Sequence, residues 1–160
     1  MIRPVATSDS KAIADIYNWY IENSIISFEE EPLAMADMAS RIARADDNNP
    51  WLVLEVDNKV LAYAYATPWK SREAYRHSKE SSVYVHQDCF GLGYGQQVME
   101  SLIDEIRKTP IHVLIASIAL PNAASIGLHK KLGFEEIGKF KEVGMKFDKR
   151  IDVVYLQLML

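Results

Sequence analysis

Glu80-Ser81-Ser82-Val83-Tyr84-Val85-His86 and, three residues later, Phe90-Gly91-Leu92-Gly93-Tyr94-Gly95 form the stretch that decides the fold. Its first part has the β-branched and aromatic residues of a strand over residues 81–85. After Gly95, apolar residues recur at helical spacing as far as Ile106, which predicts a helix to about Lys108. Because glycine has no Cβ, the backbone amides of the turn between them can approach an anion, and the helix dipole adds to the attraction.

Two common phosphate-binding turns do not fit this segment. A Walker loop ends in Gly-Lys-Ser/Thr, whereas Gly95 is followed by Gln96-Gln97. A dinucleotide-binding turn has the spacing Gly-x-Gly-x-x-Gly near the start of a βαβ unit, whereas the spacing here is Gly-x-Gly-x-Gly, past the middle of the chain. The segment is therefore either an anion-binding turn of another kind or a turn without a ligand.

The residues before this segment predict a first strand, two helices and then two further strands. In chain order they are a strand at 2–5, a helix from about Ser10 to Asn23 capped by Thr7 or Ser8, a helix through Met35, Met38, Ile42 and Ala45, and strands at 51–56 and 60–67 around the turn Asp57-Asn58. The strand at 60–67 alternates large side chains with Ala62, Ala64 and Ala66. Its small-residue face either receives a helix closely or leaves room for a ligand.

The residues after the segment complete an α/β layout. They predict a strand at 112–119, a helix at 123–132 between Asn122 and a left-handed cap at Gly133, and closing strands at 134–141 and 151–160. The expected fold class is therefore α/β, with one mixed sheet covered by helices and a single domain over residues 1–160.

Composition excludes several classes of function. The chain has 160 residues and a formal net charge of −4, which disfavours general nucleic-acid binding because phosphate contacts need a positive surface. The only cysteine is Cys89, so no internal disulfide forms, as is typical of a reducing compartment. The N-terminus lacks the pattern of a signal peptide, and no apolar run is long enough to span a bilayer. We therefore expect a cytoplasmic protein without nucleic-acid or membrane partners.

The strand and glycine turn resemble the acyl-CoA-binding segment of the GNAT acetyltransferases. Asn122-Ala123-Ala124-Ser125, followed by Leu128-His129 and Gly133-Phe134, is similar to a second motif of that superfamily. The resemblance implies a mixed, mostly antiparallel sheet flanked by helices, acetyl-CoA as co-substrate and no metal. It places these residues at the cofactor: Val83, Tyr84, Val85, Gly91, Leu92, Gly93, Tyr94, Gly95, Gln96, Asn122 and Ser125. Phe90 departs from the pattern, which has Gln or Arg there and would supply a side-chain contact.

The chain resembles one branch more closely, the phosphinothricin and methionine sulfoximine acetyltransferases. The matching segments are Ser27-Phe28-Glu29, Tyr75-Arg76-His77-Ser78, the strand from Glu80, and Val143-Gly144-Met145-Lys146-Phe147. This implies acetylation of the α-amine of a small amino-acid-like substrate by a homodimer. Phe28, Glu29, Arg76 and Ser78 are the substrate-binding residues so implied, with Arg76 holding the substrate's carboxylate.

The chemistry requires a base for the amine and an acid for the leaving thiolate. Glu80 directly precedes the strand expected to line the thioester, so we predict that it is the general base, directly or through water. His129 stands where many members have a tyrosine acid, and we predict that it protonates the sulfur. The backbone N–H of Tyr84 or Val85 is the expected oxyanion donor.

Plainer interpretations stay open for these residues and for the whole chain. Glu80 could be an exposed strand-end carboxylate, His129 a satisfied core histidine and Arg76 part of a solvated loop. The enzyme could acetylate another amine, such as a polyamine, an aminoglycoside or a protein N-terminus. A noncatalytic acyl-CoA-binding module is the alternative from another class.

Overall fold

The computed structural model describes all 160 residues, which form one seven-stranded sheet flanked by helices. The elements are β1 (Ile2–Pro4), α1 (Ser10–Asn23), α2 (Met35–Ile42), β2 (Trp51–Val56), β3 (Lys59–Pro68), β4 (Ser78–Val85), α3 (Tyr94–Ile106), β5 (Val113–Ala119), α4 (Ala123–Lys131), β6 (Glu135–Lys146) and β7 (Lys149–Met159). The strand order is β1-β2-β3-β4-β5-β7-β6, and every neighbouring pair is antiparallel except β4–β5. The predicted mixed, mostly antiparallel α/β sheet is confirmed.

Each face of the sheet carries its own core because strand residues point alternately to opposite sides. On one face, α1 and α2 pack against aromatic and branched residues that include Val53, Tyr63 and Tyr84. On the other face, α3 packs on Ala62, Ala64 and Ala66 together with residues of β5 and β7. The small-residue face of β3 therefore receives a helix. None of the helices is long and apolar enough to cross a membrane.

The parallel pair β4–β5 is the feature that creates the site. The two strands pair only where Ser78–Glu80 lie beside Val113–Ile115. Beyond Glu80 they separate, and a cleft of about 50 Å³ opens between Ser81–Tyr84 and Ala116–Ala119. The sheet thus has an opening at its centre, bordered by strand backbone on both sides.

Several boundaries differ from the sequence-based expectations. β4 begins at Ser78 because it pairs with β5 from that residue and with β3 from Lys79, although the sequence there is polar. α2 ends at Ile42, before Ala45. Neither Thr7 nor Ser8 caps α1, since both lie in a 3₁₀ turn. β6 continues to Lys146 because it pairs with β7 up to the hairpin turn, through two register shifts that hide the strand's alternation.

Candidate active site

The glycine turn closes one end of a cleft of about 560 Å³ that extends to the start of α4. Gly93 is the N-cap of α3 with φ +78°, a left-handed conformation that residues with a Cβ rarely adopt. The free amides at the start of this 13-residue helix therefore face an open cleft, which suits an anionic pyrophosphate. The predicted cofactor residues that line this cleft are Val83, Val85, Gly91, Gly93, Tyr94, Gly95, Gln96, Asn122 and Ser125.

Leu92 and Tyr84 are the predicted cofactor residues that do not line this cleft. Leu92 is exposed at the outside of the turn. The ring of Tyr84 is buried in the core on the α1 side, with its centroid 5.1 Å from that of Tyr17 and 5.2 Å from that of Tyr20. Only the backbone of Tyr84 therefore borders the opening between β4 and β5.

The backbone directions in β4 correct the prediction about the oxyanion donors. The His86 N–H donates to the Leu61 carbonyl of β3 at 2.8 Å. Because ladder bonds alternate along an antiparallel strand, the N–H of Tyr84 also points toward β3 and away from the opening. The Val85 N–H points the other way, but it donates to the Tyr20 hydroxyl at 3.2 Å. Tyr84 is thus wrongly placed as a donor, and Val85 is already engaged.

Side chains that sequence reasoning did not assign also line the cofactor cleft, among them Lys131, Tyr20 and Ile26. Lys131, in the last turn of α4, donates from Nζ to Oε1 of Gln96 at 2.7 Å, which brings a cation beside the glycine turn. Tyr20 reaches the cleft from α1, and its ring lies 6.2 Å from that of Phe90. Phe90 therefore joins the turn to α1 by aromatic packing, where a Gln or Arg would offer a polar contact. The spacing of Lys131 after Asn122 was the available signal for the cation.

The start of α4 is organised by side-chain contacts. Asn122 caps the helix, since its Oδ1 accepts from the Ser125 N–H at 3.1 Å. The Ser125 carbonyl in turn lies 2.8 Å from Nδ1 of His129. Asn122 and Ser125 also line the opening between β4 and β5. Asn122 therefore caps α4 and lines the opening at the same time, while Ser125 donates to this cap and also lines the opening.

His129 is 3% exposed, lines the β4–β5 opening and packs edge-on against Phe134. A carbonyl oxygen can only accept, so the contact with Ser125 assigns the hydrogen to Nδ1. Nε2 is buried without a partner, and in the neutral ring it carries the lone pair. Burial lowers the pKa of His129, although the Ser125 carbonyl opposes the shift. A neutral ring with this tautomer accepts a proton at Nε2 before it can give one away.

A larger cavity of about 900 Å³ lies on the other side of the sheet, between β3 and the helices α1 and α2. Its walls include Tyr17, Arg41, Trp51, Tyr65 and Thr67. Glu80 pairs with Thr67 across the β3–β4 ladder, so both side chains point to this face of the sheet. Burial is the main cause that raises the pKa of Tyr65, and the carboxylate of Glu80 adds to it.

Glu80 lies where the β4–β5 pairing ends, on the face of the sheet that holds the large cavity. It is the last residue of β4 that pairs with β5, so the opening between the strands starts directly after it. Its side chain is half-buried on the face that holds the large cavity. Glu80 itself lines neither space, but its neighbour Ser81 lines the opening and its ladder partner Thr67 lines the cavity.

Glu29 does not form the rim of the cavity but supports its wall. Its carboxylate accepts from both terminal nitrogens of Arg41, at 2.9 and 2.5 Å, and from the Tyr17 hydroxyl. These hydrogen bonds, first of all those from Arg41, hold the pKa of Glu29 below its usual value. Burial, followed by the bond to Glu29, raises the pKa of Tyr17 to about 12. Phe28 is 45% exposed and packs over Gly144 instead of lining the cavity.

Arg76 and Ser78 are not brought to this cavity within one chain. The Arg76 side chain is 57% exposed and contacts Glu73 on its own loop. Ser78 begins β4, and its carbonyl accepts from the Trp69 N–H at 3.2 Å. The cations that do line the cavity are Arg41 and Arg44 of the α2 region, which sequence reasoning missed. Their spacing after Met38 places them beside a buried helical stripe, but nothing local indicates a cavity there.

Comparison with known proteins agrees with this geometry. The acetyltransferase (GNAT) domain family matches residues 2–155. A phosphinothricin N-acetyltransferase from Alcaligenes faecalis is 40% identical over 158 residues, covering 98% of this chain and 80% of the relative. An L-methionine sulfoximine/L-methionine sulfone acetyltransferase from Pseudomonas paraeruginosa is 38% identical over 159 residues, covering 98% of this chain and 92% of the relative.

Solved structures share the whole fold. A ribosomal-protein-alanine N-acetyltransferase from Brucella melitensis has a TM-score of 0.97 and 38% identity, covering 100% of this chain and 99% of the other. A GNAT superfamily phosphinothricin acetyltransferase from Sinorhizobium meliloti, solved in complex with AcCoA, has a TM-score of 0.95 and 31% identity, covering 100% of this chain and 88% of the other. The chain therefore belongs to the GNAT acetyltransferase family and is an acetyl-CoA-dependent N-acetyltransferase.

Proposed function

We propose that this enzyme acetylates the α-amine of a small amino-acid-like acceptor of the phosphinothricin or methionine sulfoximine type. The observation that carries the proposal is the cavity of about 900 Å³ whose wall includes Thr67, the ladder partner of Glu80, and which combines aromatic walls with the guanidinium groups of Arg41 and Arg44. An α-amino acid carries an amine for the carboxylate and a carboxylate for a guanidinium, so it matches both charges. The names of the relatives at 40% and 38% identity support the same acceptor class.

The proposed proton transfers use two residues, Glu80 at the end of the β4–β5 pairing and His129 in the lining of the opening. Acetyl-CoA supplies the acetyl group as a thioester, which a neutral amine attacks directly. Glu80 takes the first proton from the ammonium group of the acceptor. Nε2 of His129 takes the second proton from the amine and passes it to the sulfur, so that the acid predicted from sequence acts as a relay. No covalent enzyme intermediate is needed.

The carboxylate of the acceptor has two candidate sites. Arg76 stays a prediction, and it reaches the cavity only if its loop moves or if a second copy presents it. Arg44 lines the cavity in this chain, whereas Arg41 is already paired with Glu29. Comparing Arg44→Ala with Arg76→Ala on acceptors with and without a carboxylate distinguishes the sites, because the correct arginine affects only the first group.

A thiol-release assay across an amine panel tests the acceptor class. We expect methionine sulfoximine or phosphinothricin to be the best acceptors, simple amino acids to be weaker, and spermidine to be negligible, since guanidinium groups repel a polyamine. A peptide with an N-terminal alanine and an aminoglycoside represent the other amines. If either of these, or spermidine, has the highest kcat/KM, the α-amino-acid assignment is wrong while the acetyltransferase assignment stands.

We also propose that the enzyme is a homodimer in which a second copy covers β6. This edge strand and its turn expose Ile137, Phe140, Val143, Met145 and Phe147, each between 53% and 61%. Five large apolar side chains exposed along one edge strand and its turn are the kind of surface that marks protein–protein contacts. We further propose that residues 1–160 act as one domain, because both cores share one sheet. A cytoplasmic location stays a prediction.

A further inference from the structure

Lys146 is a buried charge that the proposed chemistry does not use. It lies in the segment Val143–Phe147 that resembles the family, and it is 2% exposed. Its Nζ donates to the Ser24 carbonyl at 2.9 Å and to the Ser27 carbonyl at 2.6 Å. Burial lowers the pKa of Lys146, and the charge of Glu30 opposes this shift. A buried ammonium costs free energy, so its two bonds to a segment more than a hundred residues away call for an explanation.

A second contact joins the same two parts of the chain. A Cβ built on Gly144 would lie 2.5 Å from Cε2 of Phe28, which is closer than real atoms approach. The Phe28 ring can therefore pack against β6 in this position because residue 144 has no side chain. Gly144 and Lys146 both belong to β6, and together they hold the segment from Ser24 to Phe28 against the β6–β7 hairpin.

A series of hydrogen bonds continues from this segment to the wall of the large cavity. The Ser27 hydroxyl, whose own carbonyl is held by Lys146, donates to the Tyr17 hydroxyl at 2.9 Å and accepts from the Glu29 N–H at 3.2 Å. The Tyr17 hydroxyl donates to Glu29, and Glu29 accepts from Arg41 at 2.9 Å. Tyr17 and Arg41 line the cavity.

We propose that Lys146 is a positioning residue of the acceptor pocket, which fixes the segment from Ser24 to Glu29 and thereby orients Tyr17 and Arg41 in the pocket wall. The proposal rests on the proposed function, in that it takes the cavity of about 900 Å³ as the acceptor pocket. Lys146 touches no reacting atom. Its main effect is on acceptor binding, through Tyr17 and Arg41, whereas the same segment contributes Ile26 to the cofactor cleft.

The first test is steady-state kinetics of Lys146→Met, which keeps the side chain's length and removes its donors. We expect the KM for the acceptor to rise about tenfold or more, as for a buried carbonyl left unpaired. The KM for acetyl-CoA should rise less, because the segment contributes only Ile26 to the cofactor cleft. Lys146→Arg should recover part of the loss. Lys149→Met is the matched control, because Lys149 pairs with Lys146 across the hairpin and is exposed.

A second pair of variants tests the same coupling without touching the lysine. Gly144→Ala displaces Phe28 and should raise the KM for the acceptor in the same way. Gly138→Ala on the same strand meets no atom of its own chain within 4 Å and should not raise it, once sedimentation shows that the variant keeps the wild-type oligomeric state. This pair also decides the question if Lys146→Met does not fold. Equal increases in both KM values, or unchanged kinetics in Lys146→Met and Gly144→Ala, would overturn the proposal.

Hydrogen exchange provides a measurement that needs no substrate. Amides of residues 24–30 should exchange faster in Lys146→Met than in the wild type, and at the wild-type rate in Lys149→Met. Unchanged exchange in Lys146→Met contradicts the positioning role whatever the acceptor is. If the wild type prefers a polyamine or a peptide, the substrate assignment fails, and the KM for that amine still tests Lys146.

Discussion

At the scale of single residues, Glu80 combines a place beside the strand opening with a side chain on the cavity face. Glu80→Gln keeps the shape and removes the base, so kcat should fall about a hundredfold or more, the usual range for general-base catalysis. The affinity for acetyl-CoA, measured by calorimetry, should hardly change. Glu135→Gln, at an exposed strand carboxylate, is the control. Turnover near the wild-type value would assign the proton transfer to another group.

His129 makes a prediction about pH. Burial lowers its pKa below the ordinary 6.5, so the ring stays neutral at neutral pH and becomes charged only at lower pH. A relay that starts from neutral Nε2 keeps kcat high above that pKa and loses it as the pH falls through it. A ring that had to start protonated would show the opposite trend, with activity falling toward neutral pH.

The control for this profile is substitution of His129 itself. His129→Phe should slow turnover and lose the limb of the kcat profile below pH 6.5, the ordinary pKa of the ring. His129→Tyr should keep more activity, because a hydroxyl can still exchange a proton with the sulfur. Equal and small effects of both variants would make His129 a packing residue against Phe134.

At the scale of elements, the turn between β4 and α3 holds the backbone amides in place. Gly93→Val puts a branched side chain at φ +78°, which costs about 1–2 kcal/mol in a left-handed residue. If the turn must keep this φ to bind acetyl-CoA, the same cost lowers the affinity for acetyl-CoA about tenfold. Calorimetry measures the change, and circular dichroism checks the fold. Gly138→Val, where the space is open, should bind normally.

The cofactor side could be predicted from sequence because its signals are local. The strand, the glycine turn and the Asn122 cap each lie within a few consecutive residues, and the structure brings them to one cleft. The acceptor side could not be predicted in the same way. Its wall joins Tyr17, Arg41 and Tyr65 from three elements, which meet only through strand register and helix packing. Propensity also gave no sign of the long β6, whose register shifts break the alternation of side chains.

At the scale of the whole molecule, the exposed edge strand β6 predicts the oligomeric state. Val143 is 59% exposed, so Val143→Glu should leave the fold intact and place a charge in the proposed interface. Sedimentation velocity should show a dimer for the wild type and a monomer for the variant. Ser71→Glu, at an exposed neutral residue outside β6, controls for the added charge. A wild type that sediments as a monomer at every concentration would contradict the dimer.

The short ladder between β4 and β5 has a mechanical consequence. Only three residue pairs join strands β1–β4 to strands β5–β7, so this seam has the shortest ladder in the interior of the sheet. A ligand that binds in the seam and contacts the strands on both sides adds contacts across this short ladder, and these contacts are lost when the ligand dissociates. Acetyl-CoA should therefore raise the melting temperature with the logarithm of its concentration and slow hydrogen exchange on both sides of the seam together.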